Sequence, residues 1–573
     1  MKNFTLLAVA SLLATTTVFA QPKHDVSFSD ARLLVRPMTQ RQRPVAQRQM
    51  AKSHPVKAAA ARKAPEGAIV TPPDGKVYEN MVVTYEGYAY SFFGISYVST
   101  DAGYLTLVEA EDGALYIQNL TPNLSDDELY WIKAEKVDDK GNYVIHKQPA
   151  GYYASYDIVD YITRLEYYED DEGAYYYEAK NTDIPLTWKD GVLSTPEEFN
   201  GDIIFGTVYE YAGEIDWNGD GYYNFNAVPL TDTYTVPSED ALAETFVVKH
   251  LDAGEPAVQG VKVVFDGADV YLKLYDNAPG WVKGQVSGNQ ITVKGGQYMG
   301  ISSEYGTHEY AHLAKSELAY YEDEEYPEYN FYYDEFTEML DEDVLTFDPA
   351  TRTITSANAI TIDGSKSDFN SAASFVQPVI YPFVEVPAVP ADPDVTYFYN
   401  FDEEYGYGIT DFNIPVQDIN GEYINPEKLS YLVYVDDEVF EFEADEYELE
   451  ASLTEIPYTY DDGGAISTYY GDKEIAFFFS LAKNVGVQSI YRGCGEEHRS
   501  NIVLFDIESE ETSVIEVDDP LRNSVRAIAT KSVAAEANYD ITGRRVATNA
   551  KGLLIKAVTF ADGSRKSYKV VRR

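Results

Sequence analysis

The chain has little cysteine, little positive charge in its middle, and no long apolar run beyond its first twenty residues. Cys494 is the only cysteine among 573 residues, so an intrachain disulfide and a lipid anchor built on an N-terminal cysteine are both excluded. We interpret Cys494, in RGCGEE, as a loop residue rather than a nucleophile. No later run reaches the roughly 18 apolar residues that a membrane-spanning helix needs, so no transmembrane segment is expected after removal of the N-terminal segment.

Basic residues are scarce only in the middle of the chain. Residues 66–520 carry 21 Lys or Arg against 90 Asp or Glu, whereas residues 21–65 carry ten against two and residues 521–573 carry twelve against three. Nucleic acid is excluded as a partner of the middle, because a phosphate backbone is bound by clustered Lys and Arg. We interpret the acid as a solvated, repulsive surface, with binding of a cation or a basic partner as the alternative.

The N-terminus reads as a secretory signal peptide. Residues 1–20 combine Lys2, an apolar stretch from Phe4 to Leu13, and the small residues Val18 and Ala20. Cleavage is predicted between Ala20 and Gln21. The next segment, 21–67, is rich in Gln, Arg, Ala and Pro and poor in aromatics, which predicts a disordered basic leader.

From residue 68 onward the composition favours many short strands. Tyrosine alternates with other residues, and Gly, Asn and Asp recur every eight to twelve residues, so we predict an all-β fold. Three blocks occur twice in the same order, which predicts two tandem β-sandwich-like repeats at 68–230 and 231–380. YYDEFTEMLDED, around Phe336 and Leu340, is predicted as a short helix. The paired positions are Glu79 with Glu244, Val82 and Val83 with Val247 and Val248, Trp131 with Trp281, Lys133 with Lys283, Gly141 and Asn142 with Gly288 and Asn289, and Leu186, Thr187 and Trp188 with Leu345, Thr346 and Phe347.

A different domain follows a proline-rich linker at 381–394. It is predicted at residues 395–508, where KLSYLVYVDDEVFEFEADEYELE alternates strictly around a predicted turn at Asp436 and Asp437, and two closing strands follow in NVGVQSIYRG and RSNIVLFDI. This pattern is typical of an immunoglobulin or fibronectin type III sandwich. Residues 509–536 are predicted to be a linker.

The last residues, 537–573, carry YDITGRRV from Tyr539, a Lys551–Gly552 step before an apolar run, and Asp562–Gly563 before a basic strand. This segment resembles the C-terminal sorting signal of type IX secretion in Gram-negative bacteria. The resemblance implies transport by the export and sorting machinery, then release or surface attachment after removal of the tail. The blocks VYLKLYDNAPGWVKGQVSGNQITVKGGQYMG and KLSYLVYVDDE, with GVQSIYRGCGEEHRSNIV, are similar to secreted proteins of the same bacterial group, which implies an architecture and no activity.

Two motifs are candidates for metal binding. HEYAH, at His308–His312, fits the pattern in which two histidines on a helix bind zinc and the glutamate acts as general base. The duplicated copy has Val159, Asp160, Tyr161, Ile162 and Thr163 in its place, which favours a strand, where two histidines four residues apart lie about 13 Å from each other. DWNGDG, at Asp216–Gly221, starts like a calcium loop but has Ala227 at position twelve, so we favour an acidic hairpin turn.

The sequence therefore predicts no catalytic, metal or cofactor site. The tyrosines are interpreted mainly as core and sheet surface, with a protein- or glycan-binding platform as the alternative. The leading hypothesis is a secreted or surface-displayed, non-enzymatic β-protein that binds a protein or glycan. The alternatives are an extracellular hydrolase, with HEYAH as a zinc-dependent peptidase site, and a structural surface protein.

Overall fold

A computed structural model describes most of the chain after the leader. It covers residues 64–522 except 92–93, 123–127, 154–157, 170–174, 180–181, 212–213, 323–329, 403–406, 448, 463, 470–471, 478–481 and 510. Beyond 522 it covers 533–540, 545–546, 552–560 and 565–572. The predicted signal peptide, the predicted cleavage site at Ala20 and Gln21, and the predicted leader up to residue 63 lie outside the described residues.

The described residues form almost only strands, which confirms the all-β prediction. They divide into two compact units, one formed by the described residues up to 383 and the other by those from 384 onward. No helix in the described part is long and apolar enough to cross a membrane.

The first repeat is one continuous antiparallel sheet. Hydrogen bonding runs in the order β1-β2-β3-β5-β6-β10-β11-β14, and β14 pairs back onto β1, so these eight strands close on themselves. A branch leaves the ring at β14 and continues through β12, β8, β7 and β4. The strands are β1 (Gly75–Ser91), β2 (Gly94–Ala110), β3 (Leu115–Gln118), β4 (Glu128–Leu129), β5 (Ile132–Lys136), β6 (Asn142–Ile145), β7 (Gln148–Tyr153), β8 (Ile158–Glu169), β9 (Tyr175–Glu178), β10 (Ile184–Lys189), β11 (Val192–Ser194), β12 (Ile203–Tyr211), β13 (Glu214–Trp217) and β14 (Gly221–Val228).

The second repeat has the same strand order. Its ring runs β15-β16-β17-β18-β19-β23-β24-β26, with β26 pairing back onto β15, and its branch continues through β25, β21 and β20. In each repeat one apolar core lies between the facing parts of the sheet. The strands are β15 (Glu244–Asp252), β16 (Glu255–Asp266), β17 (Asp269–Lys273), β18 (Val282–Ser287), β19 (Gln290–Lys294), β20 (Gln297–Ile301), β21 (His308–Tyr321), β22 (Phe331–Leu340), β23 (Glu342–Asp348), β24 (Thr353–Thr355), β25 (Ala359–Asp363) and β26 (Ser371–Pro382).

Hydrogen bonds match between the repeats residue by residue. The Gln148 side chain accepts from the Lys133 N–H at 2.8 Å and donates to its carbonyl oxygen at 2.8 Å, and Gln297 does the same to Lys283 at 2.9 Å. Leu186 and Leu345 occupy equivalent register positions, as the sequence predicts. At the turn before them the predicted alignment is wrong by one residue, because the carbonyl oxygen that accepts from Trp188 belongs to Gly141 and the one that accepts from Phe347 belongs to Asn289.

The predicted helix around Phe336 and Leu340 is wrong. These residues lie in β22, which pairs with β21 from Leu340 opposite Leu313 to Phe331 opposite Tyr321. Backbone hydrogen bonds to the neighbouring strand outweigh the local helical spacing of the apolar residues.

The segment from 384 contains a sandwich of two sheets with one shared core. One sheet has the order β27-β28-β33-β32 and the other β30-β29-β34-β36-β37. A turn with positive φ at Asp436 and Asp437 joins β29 to β30, as predicted. The strands are β27 (Asp394–Asp402), β28 (Tyr407–Asn413), β29 (Leu429–Val435), β30 (Glu438–Val439), β31 (Glu455–Pro457), β32 (Ile466–Tyr469), β33 (Asp472–Phe477), β34 (Asn484–Tyr491), β35 (His498–Arg499), β36 (Ile502–Asp506) and β37 (Glu511–Ile515), with short helices at Pro426–Lys428, Ala444–Tyr447 and Gly493–Gly495.

The sandwich extends into both predicted linkers. Ala388 and Val389 are buried in its core region, and β37 lies beyond residue 508. Asp519 is buried against His498, its carboxylate oxygens 3.2 Å from the ring nitrogen Nδ1. The predicted linkers at 381–394 and 509–536 are therefore shorter in the structure, because buried side chains fix their ends to the domain.

The tail forms a small four-stranded sheet in the order β39-β38-β40-β41. Its strands are β38 (Val533–Asp540), β39 (Arg545–Val546), β40 (Gly552–Phe560) and β41 (Arg565–Arg572).

Candidate functional site

HEYAH opens strand β21 and does not lie on a helix, as the repeat comparison predicts. The strand pairs with β20 on one side and with β25 on the other. His308 and His312 therefore lie about 13 Å apart along one strand, too far to share a zinc ion. Among the described residues, no group of three or more His, Cys, Asp or Glu is placed to hold a metal.

The two histidines instead belong to a buried polar junction between the repeats. His308 is fully buried, its Nδ1 is 2.7 Å from the Tyr298 hydroxyl, and the backbone of Met81 in the first repeat lies beside the ring. Burial lowers the pKa of His308, so the neutral ring is favoured.

His312 connects the same junction through a neighbouring loop. Its Nε2 donates to the carbonyl oxygen of Ser365 at 3.0 Å, and the Ser365 hydroxyl donates to Asp101 of the first repeat at 2.5 Å. Both histidines thus hydrogen-bond within the second repeat, and the bond from Ser365 to Asp101 is the one that crosses to the first repeat.

Glu309 lies on the opposite face of β21 and is a buried acid. Its Oε1 accepts from the Thr307 hydroxyl at 2.7 Å, and its Oε2 has no hydrogen-bond partner within the described chain. Burial, with smaller contributions from Asp363 and Glu304, raises the pKa of Glu309 to about 7. Asp160 occupies the equivalent position in the first repeat and is also buried.

A groove of about 460 Å³ opens beside this junction, lined in part by Asn80, Asp232, Tyr234 and Tyr298. Asp232 accepts from Lys366 at 2.6 Å and from the Tyr310 hydroxyl at 3.4 Å, so its charge is already engaged. The described lining of the groove is partly polar and contains no nucleophilic side chain such as a cysteine or serine.

The DWNGDG segment is a bulge and not the predicted hairpin turn. Trp217 in β13 and Tyr222 in β14 both pair with β12, and residues 218–221 lie opposite only Gly206 and Thr207. A side chain at Gly206 would meet the Asp220 carbonyl oxygen at 2.3 Å, so glycine lets the bulge pack closely.

This geometry directs the Asp220 carboxylate inward. It accepts from the Thr207 N–H at 2.9 Å and from the Thr207 hydroxyl at 2.6 Å, and burial raises the pKa of Asp220. Ala227, at the twelfth position of the calcium pattern, is buried in β14 opposite Val83. The oxygens of a calcium loop are therefore not brought together.

Cys494 is an exposed turn residue with φ of 53°. Its N–H donates to Glu385 at 2.6 Å, and the pKa of its thiol is raised, first by desolvation and then by the Glu385 charge. A raised pKa lowers the thiolate fraction, which agrees with a loop residue rather than a nucleophile.

The outer half of the β21–β22 hairpin brings three exposed tyrosines together, Tyr320, Tyr332 and Tyr333. We call its described residues, 315–322 and 330–338, the aromatic hairpin. Tyr320 and Tyr332 face each other across the strands with ring centroids 4.7 Å apart, and they are 49% and 58% exposed. On the other face, the Tyr321 and Phe331 rings stack at 5.5 Å, and Tyr333 is exposed beside them.

The same hairpin carries excess negative charge. Glu317 and Glu335 are exposed and lie directly opposite each other across the two strands. Like charges at such a position destabilise a sheet. Lys315 is the one basic residue of the aromatic hairpin, and it already pairs with Glu338 at 2.5 Å.

Metal ions are expected to have no effect on stability. Adding zinc or calcium, or removing both with EDTA, should leave the melting temperature of the purified chain unchanged within about 1 °C, because a site-bound ligand would raise it by mass action. Metal analysis after dialysis checks the same point. One equivalent of bound zinc that disappears in His308→Ala would contradict this assignment of HEYAH.

No protein-family model matches this chain, and no curated protein sequence is significantly similar to it.

Proposed function

We propose that the chain is an exported, surface-displayed, non-enzymatic bacterial protein that binds a protein ligand through the aromatic hairpin. The observation that carries this proposal is the exposure of Tyr320, Tyr332 and Tyr333 on two paired strands. Tyrosines supply apolar contact area and a polar tip, and they are enriched in binding hot spots. The surrounding carboxylates favour a partner surface that presents lysine and arginine.

The chemistry of the described chain supports binding rather than catalysis. The histidines of HEYAH are engaged in the repeat junction, and the acid between them is buried on the other face. This removes the one concrete support for a zinc-dependent peptidase.

Binding is expected to depend on the exposed tyrosines. With the leader removed, the double variant Tyr320→Ser/Tyr332→Ser should bind cationic peptides on a peptide array at least tenfold more weakly than the parent chain. Tyr234→Ser is the matched control, since Tyr234 is a similarly exposed tyrosine outside the hairpin. A glycan array read in parallel decides the ligand class. Equal binding by the double variant and the parent on both arrays would contradict the proposal.

Export to the cell surface is expected to depend on the C-terminal tail. A chain truncated before Tyr539 should be retained in the periplasm, whereas the complete chain should reach the cell surface or the medium with its tail removed. Cell fractionation with mass spectrometry of both termini measures this. If truncation leaves the location unchanged, the tail is an ordinary part of the fold and the proposed surface location is wrong.

A further inference from the structure

The groove between the repeats is lined by polar groups that the described chain does not use fully. Asn80 lines it from the first repeat, and Asp232 and Thr233 line it from the segment that leads into the second. Among the described residues, the Asn80 amide and the Thr233 hydroxyl make no hydrogen bond. Asp232 accepts from both Lys366 and Tyr310 at Oδ2, so its Oδ1 can still accept a hydrogen bond. The groove therefore offers an amide, a hydroxyl and a carboxylate oxygen to a ligand.

Tyrosine rings supply the apolar part of the groove. Tyr234 is 46% exposed, and its ring centroid lies 6.3 Å from that of Tyr298, which is 7% exposed. Gly300 keeps the space beside them open. Its φ of 100° favours glycine, and a side chain there would collide with Pro279 and lie 3.5 Å from the Tyr234 ring. An exposed aromatic ring thus stands next to the polar groups.

Both walls of the groove contain β-bulges. Asn80 lies where the register of β1 and β2 shifts between Tyr78 and Met81, and its φ is 51°. Gly300 lies at the shift between β20 and β21 that follows Tyr298. The strands of the second repeat that correspond to β1 and β2 are β15 and β16, and they pair without a shift. The fold therefore does not require the bulge at Asn80, and such bulges direct side chains out of the regular sheet pattern.

The first repeat shows that the backbone does not require the side chains of the groove either. In each repeat a tryptophan N–H donates to a carbonyl oxygen of the segment that leads into the repeat, Trp131 to Ile69 and Trp281 to Thr235. These bonds and the matching bonds of Gln148 and Gln297 align three groove residues with the first repeat. The aligned pairs are Thr233 with Gly67, Tyr234 with Ala68, and Tyr298 with Pro149. The first repeat thus keeps the same backbone without a hydroxyl or an aromatic ring at these positions.

The chemistry of the groove matches a neutral sugar ring. The C–H face of a pyranose packs on an aromatic ring, and its hydroxyls exchange hydrogen bonds with amide, hydroxyl and carboxylate groups. Asp232 is the one charged residue of the described lining, and Lys366 pairs with it at 2.6 Å, which disfavours a charged ligand. The volume of about 460 Å³ lies within the range of small-ligand pockets, roughly 300–1,000 Å³.

We infer that the groove between the repeats binds a neutral sugar residue of a glycan. The sugar ring packs on Tyr234, and its hydroxyls hydrogen-bond to Asn80, Thr233 and Asp232. Tyr298 supports the Tyr234 ring from inside. This site is separate from the aromatic hairpin, so the inference goes beyond the proposed function and does not depend on it.

Saturation-transfer NMR and titration with four probes test the inference: the methyl glycosides of glucose, galactose, mannose and N-acetylglucosamine. At least one probe should bind, and Tyr234→Ala should weaken its binding about tenfold or more, because the stacking surface is lost. The first repeat has alanine at this position, so the variant is expected to fold, which an unchanged melting temperature verifies. Tyr234→Phe keeps the ring and should bind within about threefold of the parent.

Two further variants separate the groove from the hairpin. Asn80→Ala should weaken sugar binding about threefold or more, because one hydrogen-bond partner is lost. Tyr320→Ser/Tyr332→Ser should bind the sugar as the parent does, and cationic peptides should bind Tyr234→Ala as they bind the parent. The sugar site and the proposed hairpin site can therefore fail independently.

Three results would overturn the inference. One is that none of the four glycosides binds, and another is that Tyr234→Ala binds the sugar as tightly as the parent. The third is that N-acetyl-lysine amide binds and the glycosides do not, with binding lost in Tyr234→Ala, which would make the groove a cation site.

Discussion

Replacing Glu309 by glutamine is expected to raise the free energy of unfolding of the two-repeat unit by about 1–3 kcal/mol at pH 8 and to change it little at pH 4. Glu309 is 1% exposed, and one of its carboxylate oxygens has no hydrogen-bond partner among the described residues. Keeping a carboxylate ionised in such a place costs free energy that an uncharged amide does not.

The pH dependence follows from the two pKa values. In the unfolded chain a glutamate titrates near 4.5, and in the folded chain burial raises the pKa of Glu309 to about 7. Between these values the folded state holds a proton that the unfolded state has released. The contribution of the protonated acid to stability is therefore full below the unfolded pKa and is lost as the pH rises through 7.

Glutamine does not titrate. The difference in free energy of unfolding between the variant and the parent should therefore grow between pH 4.5 and 7 and stay constant above pH 7. Urea unfolding of both proteins at several pH values measures it, with Glu342→Gln as an exposed control. The Thr307 hydroxyl can still donate to the amide oxygen, so the substitution keeps this hydrogen bond. A stability difference that does not depend on pH would show that Glu309 is not the titrating group.

The strand content follows from the sequence, but the closure of each repeat does not. Alternation and turn residues predict individual strands, because side chains of period two need one buried face. The pairing of β1 with β14 joins residues such as Val82 and Val228, which are far apart in the chain. No local pattern encodes that contact, and the closure could therefore not be predicted. The sequence predicts sandwich-like layers, and the structure shows that in each repeat these layers are parts of one closed sheet.

HEYAH shows what an internal repeat adds to motif analysis. By itself the motif indicates a zinc site, and only the comparison with Val159–Thr163 predicts a strand. The same comparison aligns Asp160 with Glu309. An acid at the same position in both repeats is a signal that this position holds a buried acid, and the alternation pattern of one repeat alone does not give that signal. The aromatic hairpin was missed because its tyrosines have the same alternation as core tyrosines, and exposure depends on what packs against the strands.

Replacing Lys473 by methionine is expected to stabilise the sandwich domain by about 1–3 kcal/mol at pH 7. Lys473 lies in β33 and is 2% exposed, with its Nζ 2.7 Å from the Thr468 hydroxyl oxygen and 4.4 Å from the centre of the Tyr458 ring. These two contacts offset part of the cost of burying an ammonium group. No salt bridge to Lys473 is found among the described residues, and burial lowers its pKa to about 8.

The stability of the parent changes with pH in the opposite direction to the change caused by Glu309. A lysine in the unfolded chain titrates near 10.5, so between pH 8 and 10.5 the unfolded state binds the extra proton, and the stability of the parent rises with pH. Below pH 8 both states are charged, and the folded state carries the full burial cost. The advantage of methionine should therefore be largest at pH 7 and should shrink as the pH approaches 10.5.

Thermal or urea unfolding at pH 7 and pH 10 tests this, with Lys483→Met as the control because Lys483 is an exposed lysine of the same domain. Methionine fills a similar volume and adapts to irregular surroundings, so a loss of packing is not expected to cancel the gain. If Lys473→Met destabilises the domain at pH 7, then the bond to Thr468 and the contact with Tyr458 outweigh the desolvation of the ammonium group. Lys473 would then hold β33 against its neighbours, and its burial would be a net source of stability.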